Sequence, residues 1–254
     1  MNRPKLAAGF IGSSLLEKWS VFTEPRDTLA PDEPAATVIL LRDAADGLEI
    51  LMLRRNSKLN FAGGLWVFPG GRIDEADWTG LASDDDCGAA KVCAAREAAE
   101  ESGLEIEPAD LVPFSHWTPP DNSPRRFLTW FFVSQAPVGD VAIDRGEIHD
   151  HRWVTAAEGM RKVQSDEIQV LPPTFVTLAM LADFPTVKAA LSAIEAAPVD
   201  FYRTRIGLSD AGATALWEGD AGYAASDPEQ AGPRHRLLMA SGGWEYFRER
   251  TEEI

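Results

Sequence analysis

Three carboxylates set the chemical possibilities of this chain. They lie in Arg96-Glu97-Ala98-Ala99-Glu100-Glu101-Ser102-Gly103-Leu104. On a helix, Glu97, Glu100 and Glu101 are related by i, i+3 and i+4, so their side chains share one face. Like charges at i,i+4 cost roughly 0.2–0.5 kcal/mol per pair. All three also fall in the last turns before Gly103, where the negative end of the helix dipole disfavours acids by roughly 0.3–1 kcal/mol each. Arg96 reaches Glu100 at i+4 and offsets part of this. A divalent cation reverses the sign of every one of these interactions, and a hard, oxygen-seeking ion such as Mg2+ or Mn2+ suits three carboxylates. A carboxylate cluster alone also reads as a solvated acidic face. The context upstream favours a site: Phe68-Pro69-Gly70-Gly71 is a strand end followed by glycines, where backbone can come close to a ligand beside the carboxylates.

The elements that must position these groups follow from local patterning. Cys87–Ser102 is alanine-rich and helix-favouring, with Asp86 as N-cap and Gly103 as the stop. Thr37–Leu41 and Leu48–Leu53 form a hairpin with a somewhat long turn over Asp43–Gly47. Leu65–Phe68 is a short strand that Pro69-Gly70-Gly71 ends, because that tripeptide cannot continue a ladder. Phe127–Ser134 and His151–Val154 are further strands. Pro172-Pro173 starts a helix running to about Asp183, and Thr186–Ala197 is another. After Pro198 the pattern weakens to short strands and loops. This order predicts an α/β (α+β) chain with helices over a mixed sheet.

Charge narrows the partners. With 24 basic and 40 acidic side chains the net charge is −16 and the pI about 4.6, which excludes sequence-independent nucleic-acid binding and an anionic membrane surface. Residues 71–110 hold three bases and twelve acids, so more than half of the net charge sits around the candidate cation site. Cys87 and Cys93 are too few for a disulfide framework and have no histidine near enough in sequence for zinc. The longest apolar run, Ala35 to Leu41, is far short of a membrane span. Arg3 and Lys5 before Leu6–Leu16 resemble a signal peptide, but Ser13, Ser14 and Glu17 interrupt the pattern. The expected setting is the cytoplasm.

Together, Gly71, Arg96, Glu97, Glu100, Glu101, Gly103 and Leu104 resemble the Nudix hydrolase box, a pattern of G, five residues, E, seven residues, then R-E-U-x-E-E-x-G-U with U bulky and aliphatic. The family arginine follows its glycine by 14 positions; Arg96 follows Gly71 by 25, an insertion of 11 that covers roughly Trp78–Cys87 and reads as a surface excursion. Asp77 stands at the family glutamate and Ala98 at the first U. Leu48–Leu53 with Arg54-Arg55, and Glu147-Ile148 five residues before Trp153-Val154, resemble flanking family elements. The resemblance implies an α/β/α sandwich with a mixed sheet. Residues 36–155 would form the core, 1–35 a lead-in, and 156–254 a helical and irregular C-terminal extension.

The resemblance also implies a reaction and its residues. Family enzymes direct water at one phosphorus of a diphosphate, using Mg2+ or Mn2+ and a carboxylate base. Glu97, Glu100 and Glu101, with Gly71, match the metal site. Arg96 matches a structural arginine, and Glu97 and Glu147 are rival bases. Asn60 through Gly71, Trp117-Thr118-Pro119, Arg125-Arg126-Phe127 and Leu171-Pro172-Pro173-Thr174 look most like a coenzyme A diphosphatase branch. Within that branch's upstream signature Asn60 replaces an arginine, and Leu128 stands where aspartate is common. Candidate substrate contacts are Gly70, Gly71, Arg54, Arg55, Trp66, Arg125 and Arg126, with Trp117 for a base. The implied substrate is coenzyme A or an acyl-coenzyme A. Alternatives are another nucleoside diphosphate derivative, such as a dinucleotide or a nucleotide sugar, or a ligand sensor without turnover. A homodimer is compatible with the chain.

Overall fold

The structure is a computed structural model that describes residues 19, 22–24, 28–59 and 62–249. Arg3, Lys5 and Asn60, and most of the expected lead-in, lie outside these residues. An eight-stranded mixed sheet forms the centre. It is built from β1 (Asp32–Ala44), β2 (Gly47–Arg55), β3 (Trp66–Val67), β4 (Gly70–Arg72), β5 (Val112–Thr118), β6 (Arg126–Gln135), β7 (Ile148–Thr155) and β8 (Asp200–Arg203). The main path runs β3-β2-β1-β6-β5-β8, with β4 beside β1 and β7 beside β2. The pairs β1–β6 and β5–β8 are parallel and the others antiparallel.

Both faces of this sheet are covered, so its central strands are apolar on both sides. Ala36, Val38, Leu40, Leu51 and Leu53 face helix α1 (Asp86–Ser102), which meets them with Ala90, Cys93, Ala94 and Ala98. These small side chains let the helix axis approach the sheet closely. Ile39, Leu41, Ile50 and Met52 point the other way into a second core. Helices α2 (Ala156–Gln164), α3 (Pro172–Leu181) and α4 (Val187–Glu195) contribute to that core. Each fully buried Val, Ile or Leu contributes about 1.5–3 kcal/mol. The result is the expected layered arrangement.

Local details differ from the sequence expectations. The turn of the first hairpin is tight: Ala44 pairs with Gly47, leaving only Ala45 and Asp46 between the strands. The N-cap of α1 is Asp85, whose carboxylate accepts the Gly88 N–H at 2.9 Å, one residue before the expected Asp86. Gly103 ends the helix at φ +69 as expected. Gly70 and Gly71 do join a ladder. Pro69 ends β3, and the chain then pairs with a different strand, Gly70 opposite Thr37 and Gly71 opposite Ala36. The C-terminal part is more regular than helices plus irregular segments. It adds β8 to the main sheet and forms a second antiparallel sheet from β9 (Arg205–Ser209), β10 (Gly212–Leu216), β11 (His235–Ala240) and β12 (Gly243–Arg248). Among the described residues no helix is long and apolar enough to cross a membrane.

Candidate active site

The last turns of α1 bring the three glutamates to β4. Glu101 is 7% exposed, Glu97 16% and Glu100 61%. Glu101 accepts the Gly70 N–H at 3.0 Å. The Glu97 carboxylate lies so close to Gly71 that a Cβ there would sit 2.2 Å from Oε1. A Cβ on Gly70 would meet the Ala36 carbonyl oxygen at 2.4 Å. Gly70 therefore requires glycine because backbone stands in the way, whereas at Gly71 a side chain would have to displace the Glu97 carboxylate.

Two arginines organise the carboxylates. Arg96 donates to both oxygens of buried Asp77 at 3.0 Å, to Glu97 at 2.8 Å, to Glu100 at 3.4 Å and to the Arg72 carbonyl at 3.1 Å. Arg55 donates to Glu147 at 3.1 Å and lies 3.6 Å from Glu101. Its Nε is buried without a hydrogen-bond partner among the described residues. Glu147 itself is 60% exposed. Its loop is shaped by Asp144, whose carboxylate accepts the N–H groups of Gly146, Glu147 and Ile148.

Burial decides the electrostatics. It pushes the Glu101 carboxyl up to about 8, against the Gly70 N–H and Arg55 and with help from Glu97 and Glu147. Glu97 is raised first by burial, then by Glu100 and Glu147, with Arg96 opposing. For Asp77 burial acts upward too, but the hydrogen bonds from Arg96 and the Asp74 N–H hold it below the ordinary range. Such a site resists carrying all its negative charge unaided.

The site opens into a cavity of about 510 Å3, bordered by Arg55, Glu147, Gly70 and Gly71. Arg125 lines it, exposed, with no ion pair or hydrogen bond among the described residues. Three expected substrate contacts are elsewhere. Arg126 is buried and committed to Asp32, Asp121 and the Pro119 carbonyl. Arg54 is exposed and does not line the cavity. Trp66 belongs to the core, with the Arg152 guanidinium 4.9 Å from its ring centre. Trp117 borders the cavity, but one face is stacked on Tyr202 at 3.9 Å. His149 and His151 lie along β7, and among the described residues no three acidic, imidazole or thiol groups form a ready metal cluster. Asp144 and the aromatic wall residues Trp19, Phe22 and Phe131 were not expected. Asp144 could have been read from the Asp-Arg-Gly-Glu turn, whereas the wall is assembled from segments distant in sequence.

Comparison with known proteins agrees with this geometry. The family described as NUDIX domain matches residues 31–172. The structure of a NUDIX hydrolase from Alicyclobacillus acidocaldarius aligns with TM-score 0.60 and 25% identity, covering 67% of this chain and 100% of that one. The MutT protein from Methanosarcina mazei Go1 aligns at TM-score 0.43 and 21% identity, over 61% of this chain and 94% of that one. A C. elegans Ap4A hydrolase aligns at 0.40 and 20%, over 60% and 99%. The matched region spans more than half of the chain and contains Gly70, Gly71, α1, Glu147 and their arginines, so this chain belongs to the NUDIX domain family and is a diphosphate hydrolase.

Proposed function

We propose that the chain is a divalent-cation-dependent hydrolase of the diphosphate in coenzyme A or an acyl-coenzyme A, acting in the cytoplasm. The observation that supports it is that Glu101 and Glu97 close on Gly70 and Gly71, which border one cavity together with the Arg55–Glu147 pair. The donor set fits Mg2+ or Mn2+. Glu97, Glu100, Glu101 and the Gly71 carbonyl are hard oxygens, and Arg96 and Arg55 offset part of the clustered negative charge. When bound, the cation neutralises the diphosphate and orients it for in-line attack.

The protein's own groups do the rest. Water attacks one phosphorus, the bridging P–O bond breaks, and the water proton passes to a carboxylate. Glu147, exposed at the mouth, and Glu97, tied to Arg96, are the two bases in reach of that role. Arg96 positions Glu97 and is itself fixed by Asp77. Arg55 and Arg125 offer cations to phosphate oxygens.

A panel of coenzyme A, dinucleotides and nucleotide sugars, with Mg2+ or Mn2+ and products resolved by mass, tests this. Coenzyme A should split into two phosphorylated halves. Turnover of a dinucleotide alone would remove the coenzyme A reading, and ligand binding without any turnover would favour a sensor.

A further inference from the structure

Most of the cavity lining is chemically unlike Arg55, Glu147, Gly70 and Gly71. It includes Trp117, Phe127, Phe131, Pro172, Pro173 and Ile206. Trp19 and Phe22, early in the chain, line it as well. Trp19 and Phe22 precede the family-matched region, while Pro173, Thr204 and Ile206 follow it. Part of the chamber is therefore built by segments that the family fold does not supply.

These walls are poor in hydrogen-bonding groups. Pro119, Pro120, Pro124, Pro172 and Pro173 have no N–H to offer. Three of the bordering hydroxyls are already engaged, whereas Ser123 Oγ is buried without a partner among the described residues. Thr37 donates to the Pro69 carbonyl at 2.6 Å, and Thr129 to the Phe127 carbonyl at 3.2 Å. Thr204 accepts the Trp217 indole N–H at 3.1 Å, and the Trp117 indole N–H is directed to Ser115 at 2.9 Å. A nucleobase edge placed here would find few partners for the hydrogen bonds it gives up in water, a net cost. An alkyl chain has none to lose. The volume of about 510 Å3 lies within the range of sites that enclose a sizeable organic group.

We infer that this chamber takes an apolar chain carried by the diphosphate, with the phosphates at Gly70, Gly71 and Glu147, and that Trp19, Phe22 and Ile206 set the preference for that chain. The inference rests on the diphosphate site proposed above and not on coenzyme A as such. Burial of each methylene is worth about a fourfold gain in affinity, until the chamber is full.

The test uses the full chain and two simple ligands, methyl diphosphate and octyl diphosphate, measured by calorimetry with Mg2+. Octyl diphosphate should bind on the order of 100-fold more tightly or better. Phe22→Ala and Ile206→Ala should each shrink that ratio several-fold. The ratio compares two ligands on the same folded protein, so a general loss of stability does not mimic the effect. Equal affinity for the two ligands, or an unchanged ratio in both variants, would overturn the inference. If octyl diphosphate is preferred while coenzyme A and its acyl forms stay uncleaved, the coenzyme A reading fails and the chamber assignment stands. If neither ligand binds, the diphosphate site itself is wrong, and the inference falls with it.

Discussion

Asp77 grips Arg96 with both carboxylate oxygens, each 3.0 Å from a guanidinium nitrogen, and does so at 2% exposure. Asp77 lies in a single 3-10 turn, Glu75–Trp78, that begins the excursion of extra residues before α1. The pair therefore pins both ends of that excursion to the helix face bearing Glu97 and Glu100. A shorter carboxylate than the family glutamate still makes a two-pronged contact, because the turn brings it to the guanidinium.

Asp77→Asn should weaken this anchor without emptying the space. The loss of a charge-assisted pair to a partly buried arginine is expected to cost about 2 kcal/mol, which for a chain of this size lowers Tm by about 4–8 °C. Arg96 would also turn more fully to Glu97 and Glu100, so turnover should drop beyond what the lost stability explains. Calorimetric melting and kcat on the same preparation check this; an unchanged Tm would deny Asp77 its anchoring role.

Glu100→Gln isolates chemistry from folding. Glu100 is largely exposed and shares only the Arg96 contact at 3.4 Å, so Tm should shift by less than about 0.5 kcal/mol's worth. If Glu100 helps hold the cation, kcat should fall by roughly two orders of magnitude, the scale of losing one preorganised electrostatic group. Full turnover in this variant would remove the proposed cation site.

The helix and its carboxylate face were legible because their signals are local. An alanine run, a left-handed glycine at position 103 and i, i+3, i+4 spacing need no tertiary partner to be recognised. β5 is different. Val112–Thr118 contains Pro113, Ser115 and His116 and has no clean period, and it becomes a strand only because β6 and β8 flank it, with a bulge between Pro113 and Ser115. The four-stranded C-terminal sheet is built from short runs held by a buried Asp220–Arg236 pair, a contact across sixteen positions.

Adjacent residues show the same boundary more sharply. Arg54 and Arg55 look equivalent in sequence, yet Arg54 is exposed while Arg55 reaches Glu101 and Glu147. Arg125 lines the cavity while Arg126 is buried against Asp32 and Asp121. Successive side chains in extended backbone point to opposite faces, so only one arginine of each pair reaches the site. Which is which depends on register, and register is set by the partner strands.

Gly70 and Gly71 should separate in the same way when each is changed to alanine. The new Cβ of Gly70→Ala meets the Ala36 carbonyl and the Thr37 backbone, neither of which can move without opening the β1–β4 pairing. A loss of about 2–3 kcal/mol is expected. The nearest atoms to the Cβ of Gly71→Ala are all in the carboxylate end of Glu97, a flexible group that can swing away. That variant should keep most of its stability and lose much of its turnover. Melting curves and kcat for the two proteins decide it, and equal losses of stability would contradict the distinction.

The C-terminal sheet carries its own pH signature through Asp220, whose side chain is fully buried. Burial acts to raise this carboxyl, but Arg236 and the N–H groups of His235 and Gly222 outweigh it and hold it below its ordinary value. A group with a folded-state value below its unfolded one stabilises the fold at pH above the unfolded value, here about 3.8, and loses that contribution as pH falls through the folded value. Asp220→Asn should therefore cost about 3–5 kcal/mol near neutrality, the scale for breaking a buried pair from one side. The gap in Tm between the two proteins should narrow as pH drops below about 3.8. Melting both proteins between neutrality and acid, at constant salt, checks the sign: a gap that widens on acidification would mean Asp220 does not carry its charge in the folded state.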